Sequence, residues 1–516
     1  MNAAPNPASR LPLLAGIGAV LLSGLYFWLE TRAAARSPLW VDEVIALWSV
    51  HDIPAGGIVA AARQGIEVAT PAYFLILKGA VAALGESSLA LRLPCVVAFY
   101  FFLVAAFLLL RKPLGPPIAL FSVSLLLLSG AEPSAAWARP FAILAACFAW
   151  SVFLWSRFAA RRPSIGTTAA LALVLAFAIA IHLYGLFVVI MVGLLEAAHA
   201  IRGRVFRAPV WAAILAGGAS TFLWLPLIRA YSHNIHSAIQ APGFYARPSI
   251  AVLTSGLSGV FFAWNMVLII LAAMVVVFAW VLASRFLPPA PQPAAPDNGN
   301  PDVETLDWIA LAALLYPLVI FTAAVLSTGV FVQRYFFGAA LALSIAAARG
   351  LRALPSSEAL ALLLLLPSTI LYARSSWSAR PQLAPDPRGA VLHAAAANLP
   401  IVPCTSTDFF ELLEQAPPEV ARRLVYLTLP QALANHDDPD QDRVVSAWTS
   451  VRKHLPVRRL DAFLKDTPQF YFLLTPADRG RASLFLDGGN AILSARNGGT
   501  SLFVIRAADL PPAIRP

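Results

Sequence analysis

Residues 39–45 read LWVDEVI, and Asp42 and Glu43 stand side by side just past an apolar run long enough to cross a bilayer. A carboxylate at such a water boundary can take a proton from an attacking hydroxyl, or bind a divalent cation. Further along come Glu67, Lys78, Glu132 and Arg139, then His182 and Tyr184 within HLYG, and Arg334 and Tyr335 within QRY. Arginine suits a phosphate because its planar guanidinium can hold two oxygens at once. Ionisable groups near membrane depth are costly, so they default to a functional reading. Arg229, His233, His236 and Arg247 also fall in segments that touch water, where solvation alone explains a charged side chain.

The elements that must position these residues are membrane spans. The 516 residues are 59 % apolar and 12 % charged, against about 45–50 % and about 25 % in ordinary soluble domains. The mean hydropathy of +0.72 has the same meaning. Apolar runs lie near 11–30, 89–110, 115–131, 140–157, 167–182, 185–201, 209–229, 261–284, 307–327, 336–350 and 357–373, which gives about eleven transmembrane helices. The shorter stretches 71–84 and 249–260 read as interfacial or re-entrant. Arg10 ahead of the first run and Ala33–Ala35 after it imitate a signal peptide, but the run is longer than a signal core and reads as an uncleaved span.

The net charge of +10 does not point to nucleic acid, because the basic residues are scattered between the apolar runs. They read as topology signals. Arg111 and Lys112, Arg157, Arg161 and Arg162, Arg202, Arg204 and Arg207, Arg285, and Arg349 with Arg352 fall in alternate loops, which places those loops and the N-terminus in the cytoplasm. The Pro-rich stretch 286–306 reads as a cytoplasmic linker. Residues 1–374 form the membrane domain, and an odd span count puts the tail outside. From 375 to 516 the composition becomes that of a soluble domain of roughly 140 residues, enough for a core of its own. Strand-like RRLVYLTL, QFYFLLT and SLFVIRA alternate there with helix-like FFELLEQA and RVVSAWTSVRKHL, giving an α/β domain on the outer face of the membrane. Cys95, Cys147 and Cys404 offer neither a disulfide framework nor metal spacing.

On this topology Asp42, Glu43 and Glu67 lie in the first outer loop, and Glu132 and Arg139 in the second. His182 and Tyr184 lie in the third, Arg229, His233, His236 and Arg247 in the fourth, and Arg334 and Tyr335 in the fifth. The residues without a topology role converge on the outer face.

Several local patterns resemble glycosyltransferase family 39 and its relatives, the bacterial protein O-mannosyltransferases and lipid A aminoarabinose transferases with the GT-C membrane fold. They are VDEV (41–44), TPAYFLILKGAVAALGESSLALRLP (70–94), ARPFAI (138–143), HLYG (182–185) and QRY (333–335), in family order over about residues 10–375. Many relatives carry an acid two positions before the arginine of ARPF. Here that position is Trp137, with Glu132 as the nearby acid. Phe141 stands where a tyrosine is usual, and Glu67 stands one residue out of register with an acid some relatives carry.

The resemblance implies a polyprenyl-phosphate sugar donor and transfer to an acceptor hydroxyl with inversion. Asp42 would be the base and Glu43 its neighbour, or both ligands of a divalent metal ion. Arg139, Arg334 and Lys78 would hold the donor phosphate. His182, Tyr184, Tyr335, Glu67 and Glu132 would line the substrate pocket. The acceptor stays open between lipid, glycan and protein. Interfacial anchoring explains Tyr184, and head-group contact explains the arginines, without any catalytic role. A polytopic transporter or flippase is the rival reading. It expects mid-span charges and paired half-repeats, whereas the spans are nearly free of acids apart from Glu196, and no repeat is visible.

Overall fold

The computed structural model describes residues 11–63, 69–129, 135–160, 164–240, 246–261, 301–354, 356–378 and 387–514. Within the last range, 394, 396–397, 431–432, 434–438, 477–479, 488–490 and 512–513 are not described. The helices in chain order begin with Leu11–Arg36 (α1), Val41–Asp52 (α2), Ile58–Arg63 (α3), Pro71–Leu84 (α4), Ser88–Leu114 (α5) and Pro116–Leu128 (α6). Phe141–Ala160 (α7), Ile165–Ile181 (α8), Gly185–Gly203 (α9), Ala208–Ala219 (α10), Thr221–Gln240 (α11) and Ile250–Phe261 (α12) follow. Pro301–Ala323 (α13), Phe337–Arg352 (α14) and Ser357–Ser378 (α15) complete the apolar part.

Among the described residues seven helical stretches are long and apolar enough to cross a membrane, or eight if the bent pair 41–63 is one span. Four shorter apolar helices include α4, α6, α8 and α12. The expected span 261–284 and most of the linker lie outside the described residues. Where the linker was expected to run to 306, α13 already begins at Pro301: proline at a helix start costs no hydrogen bond, and Asp302 and Glu304 in the first turn suit the helix dipole. The expected outer loop around Arg229 is likewise helical, inside α11.

Contacts divide the chain into two compact units. The first takes residues 1–35, 69–225 and 246–379. Its helices start and stop where local chemistry dictates. The Ser87 hydroxyl accepts from the Ala90 N–H (3.1 Å) to cap α5, which ends at Gly115 with φ +93°. α5 packs on α4, α6 and α7, α8 on α10, and α13 on α14. At one end of this bundle the first turns of α13 meet three neighbours. Asp302 pairs with Lys112 of α5, Glu304 with Arg202 of α9 (2.9 Å), and Asp307 with Arg349 of α14 (3.0 Å). Lys112, Arg202 and Arg349, three of the basic residues expected on one side of the membrane, thus meet the same end of α13. Arg207 is an exception to the topology reading, because it is buried beside Glu196: its Nε donates to Glu196 Oε1 (3.0 Å), and Trp155 Nε1 donates to Glu196 Oε2 (3.0 Å). A buried charge must be paired, and this pairing accounts for Glu196.

The second unit takes residues 36–68, 226–245 and 380–516. It includes α2 and α3, which the sequence reading counted with the membrane portion. Its own helices are Pro387–His393 (α16), Ser406–Gln415 (α17), Pro418–Ala421 (α18), Pro439–Val451 (α19), Leu460–Asp466 (α20) and Gly480–Leu486 (α21). The strands are Ile401–Pro403 (β1), Tyr426–Thr428 (β2), Val457–Arg459 (β3), Gln469–Leu474 (β4), Ile492–Asn497 (β5) and Thr500–Arg506 (β6). The main sheet runs β1-β4-β6-β5, with β1 parallel to β4 and the other pairs antiparallel, and β2 pairs with β3 in parallel. Val402, Phe470, Phe472, Phe485 and Ile505 form its buried core. This is the α/β domain expected from the alternating strand-like and helix-like runs.

Candidate functional site

In the first unit the candidate residues come from three breaks between helices. Between α6 and α7, the Arg139 N–H donates to the Trp137 carbonyl (2.8 Å), and the buried Cys95 thiol of α5 donates to the Arg139 carbonyl (3.2 Å). Between α8 and α9, HLYG makes one tight turn. The His182 N–H donates to the Ala178 carbonyl (3.1 Å) and the Gly185 N–H to the His182 carbonyl (2.7 Å). A Cβ on Gly185 would lie 2.2 Å from the Ala178 carbonyl, so the glycine of this motif is a packing requirement. After α13 the backbone widens into a π-helical turn at Ala324–Thr328 and reverses at Gly329 with φ +65°. Such turns recur at functional sites because they re-aim the chain that follows.

Those three breaks meet. Tyr184 Oη donates to the Val330 carbonyl (2.9 Å) and accepts from Thr328 Oγ1 (2.7 Å). The rings of Tyr184 and Tyr335 lie 5.0 Å apart, His182 lies 5.4 Å from Tyr184 and 5.5 Å from Phe141, and Phe141 lies 5.5 Å from Tyr335. The Arg334 guanidinium sits over both Trp137 (5.5 Å) and Phe141 (5.4 Å). Trp137 and Phe141, two of the positions that depart from the expected motif pattern, thus form one cation–π platform.

The Tyr184 N–H donates to His182 Nδ1 (3.0 Å), so that nitrogen is the acceptor and the imidazole is neutral with its proton on Nε2. Burial, helped by the charge of Arg139, pushes the His182 pKa down to about 3. Burial also raises the Tyr184 pKa, against the Thr328 hydrogen bond. Lys78 is half-buried in the third turn of α4. Glu67 and Glu132 lie outside the described residues.

In the second unit the acidic pair opens a helix. Asp42 and Glu43 are the second and third residues of α2, after an extended Trp40. Carboxylates in a first turn are stabilised by the helix dipole, so part of the reason for VDEV is local. Glu43 is fully buried, and its Oε2 accepts the Trp40 N–H at 3.4 Å. Asp42 is half-buried. The pair therefore divides into a structural acid and a more accessible one.

α17 supplies a second set of partners to α2. Glu411 Oε1 accepts the Val41 N–H (2.9 Å), Gln415 Nε2 donates to the Leu39 carbonyl, and Glu414 Oε2 accepts from Trp48 Nε1 (2.7 Å). Burial raises the Glu411 pKa, opposed by Arg388, whose guanidinium lies 2.8 Å away. The sequence reading noticed neither Glu411 nor the platform role of Trp137 and Phe141. The spacing of 411, 414 and 415 on one helix face was the available signal for the first.

No group of three or more His, Cys, Asp or Glu able to hold a metal occurs among the described residues. Adjacent helical positions point about 100° apart, and Glu43 Oε2 accepts the Trp40 N–H.

The fold has known counterparts. The chain matches ArnT from Cupriavidus metallidurans in its apo state with a TM-score of 0.56 at 13 % identity, covering 96 % of this chain and 99 % of that one. It matches the same protein bound to undecaprenyl phosphate with a TM-score of 0.54 at 13 % identity, again over 96 % and 99 %. An oligosaccharyltransferase from Archaeoglobus fulgidus, in its apo form, matches with a TM-score of 0.42 at 12 % identity over 89 % and 69 %. No family model and no curated protein matches. The GT-C fold expected from the ordered motifs is the fold found.

Proposed function

We propose that this chain, built on the fold of ArnT, is a membrane glycosyltransferase that moves a sugar from polyprenyl phosphate to an acceptor hydroxyl on the outer face of a bacterial inner membrane. The observation that carries the reading is the gathering of Arg139, Arg334, His182, Tyr184 and Tyr335 from three separate helix breaks at one end of the bundle. A cluster of two guanidiniums with a neutral imidazole suits a phosphate and the hydroxyls of a sugar. The solved complex of ArnT with undecaprenyl phosphate supports the same donor class.

In this reading the acceptor oxygen forms a bond to the anomeric carbon while the bond from that carbon to the phosphate oxygen breaks. The acceptor proton passes to Asp42, and polyprenyl phosphate leaves with the electron pair. Attack from the face opposite the phosphate inverts the anomeric centre. Arg139 and Arg334 hold the phosphate oxygens as charge grows on them, with Lys78 as a further cation. His182, whose Nε2 carries the proton, donates to a sugar hydroxyl, beside Tyr184 and Tyr335. The N-terminus is cytoplasmic and the C-terminal domain periplasmic.

The test is transfer of labelled sugar from a synthetic polyprenyl-phosphate hexose or pentose in proteoliposomes. Wild-type protein is expected to release polyprenyl phosphate, and Asp42→Asn to stop doing so while keeping its elution volume and melting temperature. Equal release by the two proteins would remove Asp42 from the mechanism and favour the transporter reading.

A further inference from the structure

Helix α2 is held from outside itself at the residue next to Asp42. The N–H groups of a first helical turn have no partner within the helix. The one at Val41 is taken by the carboxylate of Glu411, which belongs to α17 of the C-terminal domain (2.9 Å). Glu411 is in turn fixed. Arg388 of α16 donates to Glu411 Oε2 through Nη2 (2.8 Å) and to Asp408 Oδ1 through Nη1 (2.9 Å). The buried Asp408 accepts from Thr405 Oγ1 (2.8 Å) and from Thr475 Oγ1 (2.7 Å), just beyond β4. A continuous chain of charge-assisted hydrogen bonds thus runs from the sheet through Asp408, Arg388 and Glu411 to the backbone that carries Asp42. Such bonds are shorter and stronger than neutral ones and carry more directional information.

We propose that Glu411 is a positioning residue for Asp42: by capping the first turn of α2, the C-terminal domain sets the direction in which the candidate base points. This rests on Asp42 being the base. The C-terminal domain then has a defined task, to aim a carboxylate that lies more than 300 residues earlier in the chain. A second group of contacts between α2 and the domain lies further along the helix. Trp48 bonds Glu414 and packs on Phe410 (5.2 Å) and Trp448 (5.4 Å), and Arg452 covers Trp48 and pairs with Asp52. These dock α2 without touching its first turn.

The difference gives the test. Glu411→Ala, Glu411→Gln and Glu414→Ala are compared with wild type for kcat and donor KM in proteoliposomes, and for hydrogen exchange of the 37–48 peptide. Glu411→Ala is expected to lower kcat by about a hundredfold with donor KM nearly unchanged, since a displacement of about 1 Å at a catalytic group costs that much. Exchange of the peptide should quicken. Glu411→Gln should recover most of both, because its amide oxygen still accepts the Val41 N–H. Glu414→Ala, which loosens docking only, should keep kcat within about threefold. Unchanged exchange and kcat in Glu411→Ala would overturn the proposal, and so would an equal kcat loss in Glu414→Ala. If even wild type transfers no sugar, the enzyme reading fails by itself, and the exchange data still decide whether Glu411 holds this turn.

Discussion

The two units hold their functional side chains by different means. In the membrane bundle Arg334 rests on the rings of Trp137 and Phe141, and Tyr184 is tied to a hydroxyl and a backbone carbonyl. In the second unit Glu411, Arg388 and Asp408 form a hydrogen-bonded chain of alternating charges that ends on α2. An aromatic ring engages a guanidinium through its face rather than through its N–H groups. A network of ion pairs spends its hydrogen bonds on geometry instead. In the function proposed above, the bundle binds the donor phosphate and the second unit aims the carboxylate.

If that division is right, mutations should separate cleanly. The largest effect is expected for Asp42→Asn, about 10²–10⁴-fold in kcat with donor affinity kept, since a general base contributes that much. Single-turnover kinetics with bound donor would show it, and a change in KM alone would erase the division. Arg334→Ala should come next, with kcat/KM for the donor down about a hundredfold or more through lost charge stabilisation. Trp137→Ala should weaken donor binding by about 1 kcal/mol, the scale of a cation–π contact. It should do nothing further in an Arg334→Ala background, a coupling that a double-mutant cycle measures directly.

Two smaller effects sharpen the picture of the bundle. Gly185→Ala must move the turn away from Ala178 and should lower stability by about 1–3 kcal/mol, visible as a lower melting temperature with donor specificity unchanged. His182 tests the electrostatics. Its folded pKa of about 3 lies below the ordinary 6.5, so the unfolded chain binds the extra proton between those values. The sign is that stability rises with pH across that window and is lost as pH falls through it. Thermal melts of wild type should show this slope, and His182→Gln should flatten it. The acid limb of activity above pH 6 should be the same in both.

Much of this was legible in the sequence, for identifiable reasons. Spans declare themselves by composition, and HLYG and QRY fall at helix breaks because short polar runs between apolar ones can do little else. The alternation of Lys and Arg grouped Lys112, Arg202 and Arg349 correctly, because loops joining spans must return to the same end. The role of VDEV was only half legible. Two acids in a first turn are a helix start signal, but the apolar run ahead of them dominates the local pattern and hides α2. Trp137 and Phe141 read as departures from a pattern because their purpose depends on Arg334, nearly two hundred residues later. Glu411 was hidden for the same reason: a cap supplied by a distant helix leaves no local periodicity at Val41.

The central claim, that this fold carries a lipid-linked sugar to a waiting carboxylate, is tested most directly by native mass spectrometry of the lipids retained by purified Asp42→Asn protein. With the base removed and the phosphate site intact, the unreacted donor should stay bound, seen as a polyprenyl phosphate carrying one sugar whose mass separates hexose from pentose. Retention of ordinary phospholipids alone, with no uptake of added polyprenyl-phosphate sugars, would contradict the glycosyltransferase reading.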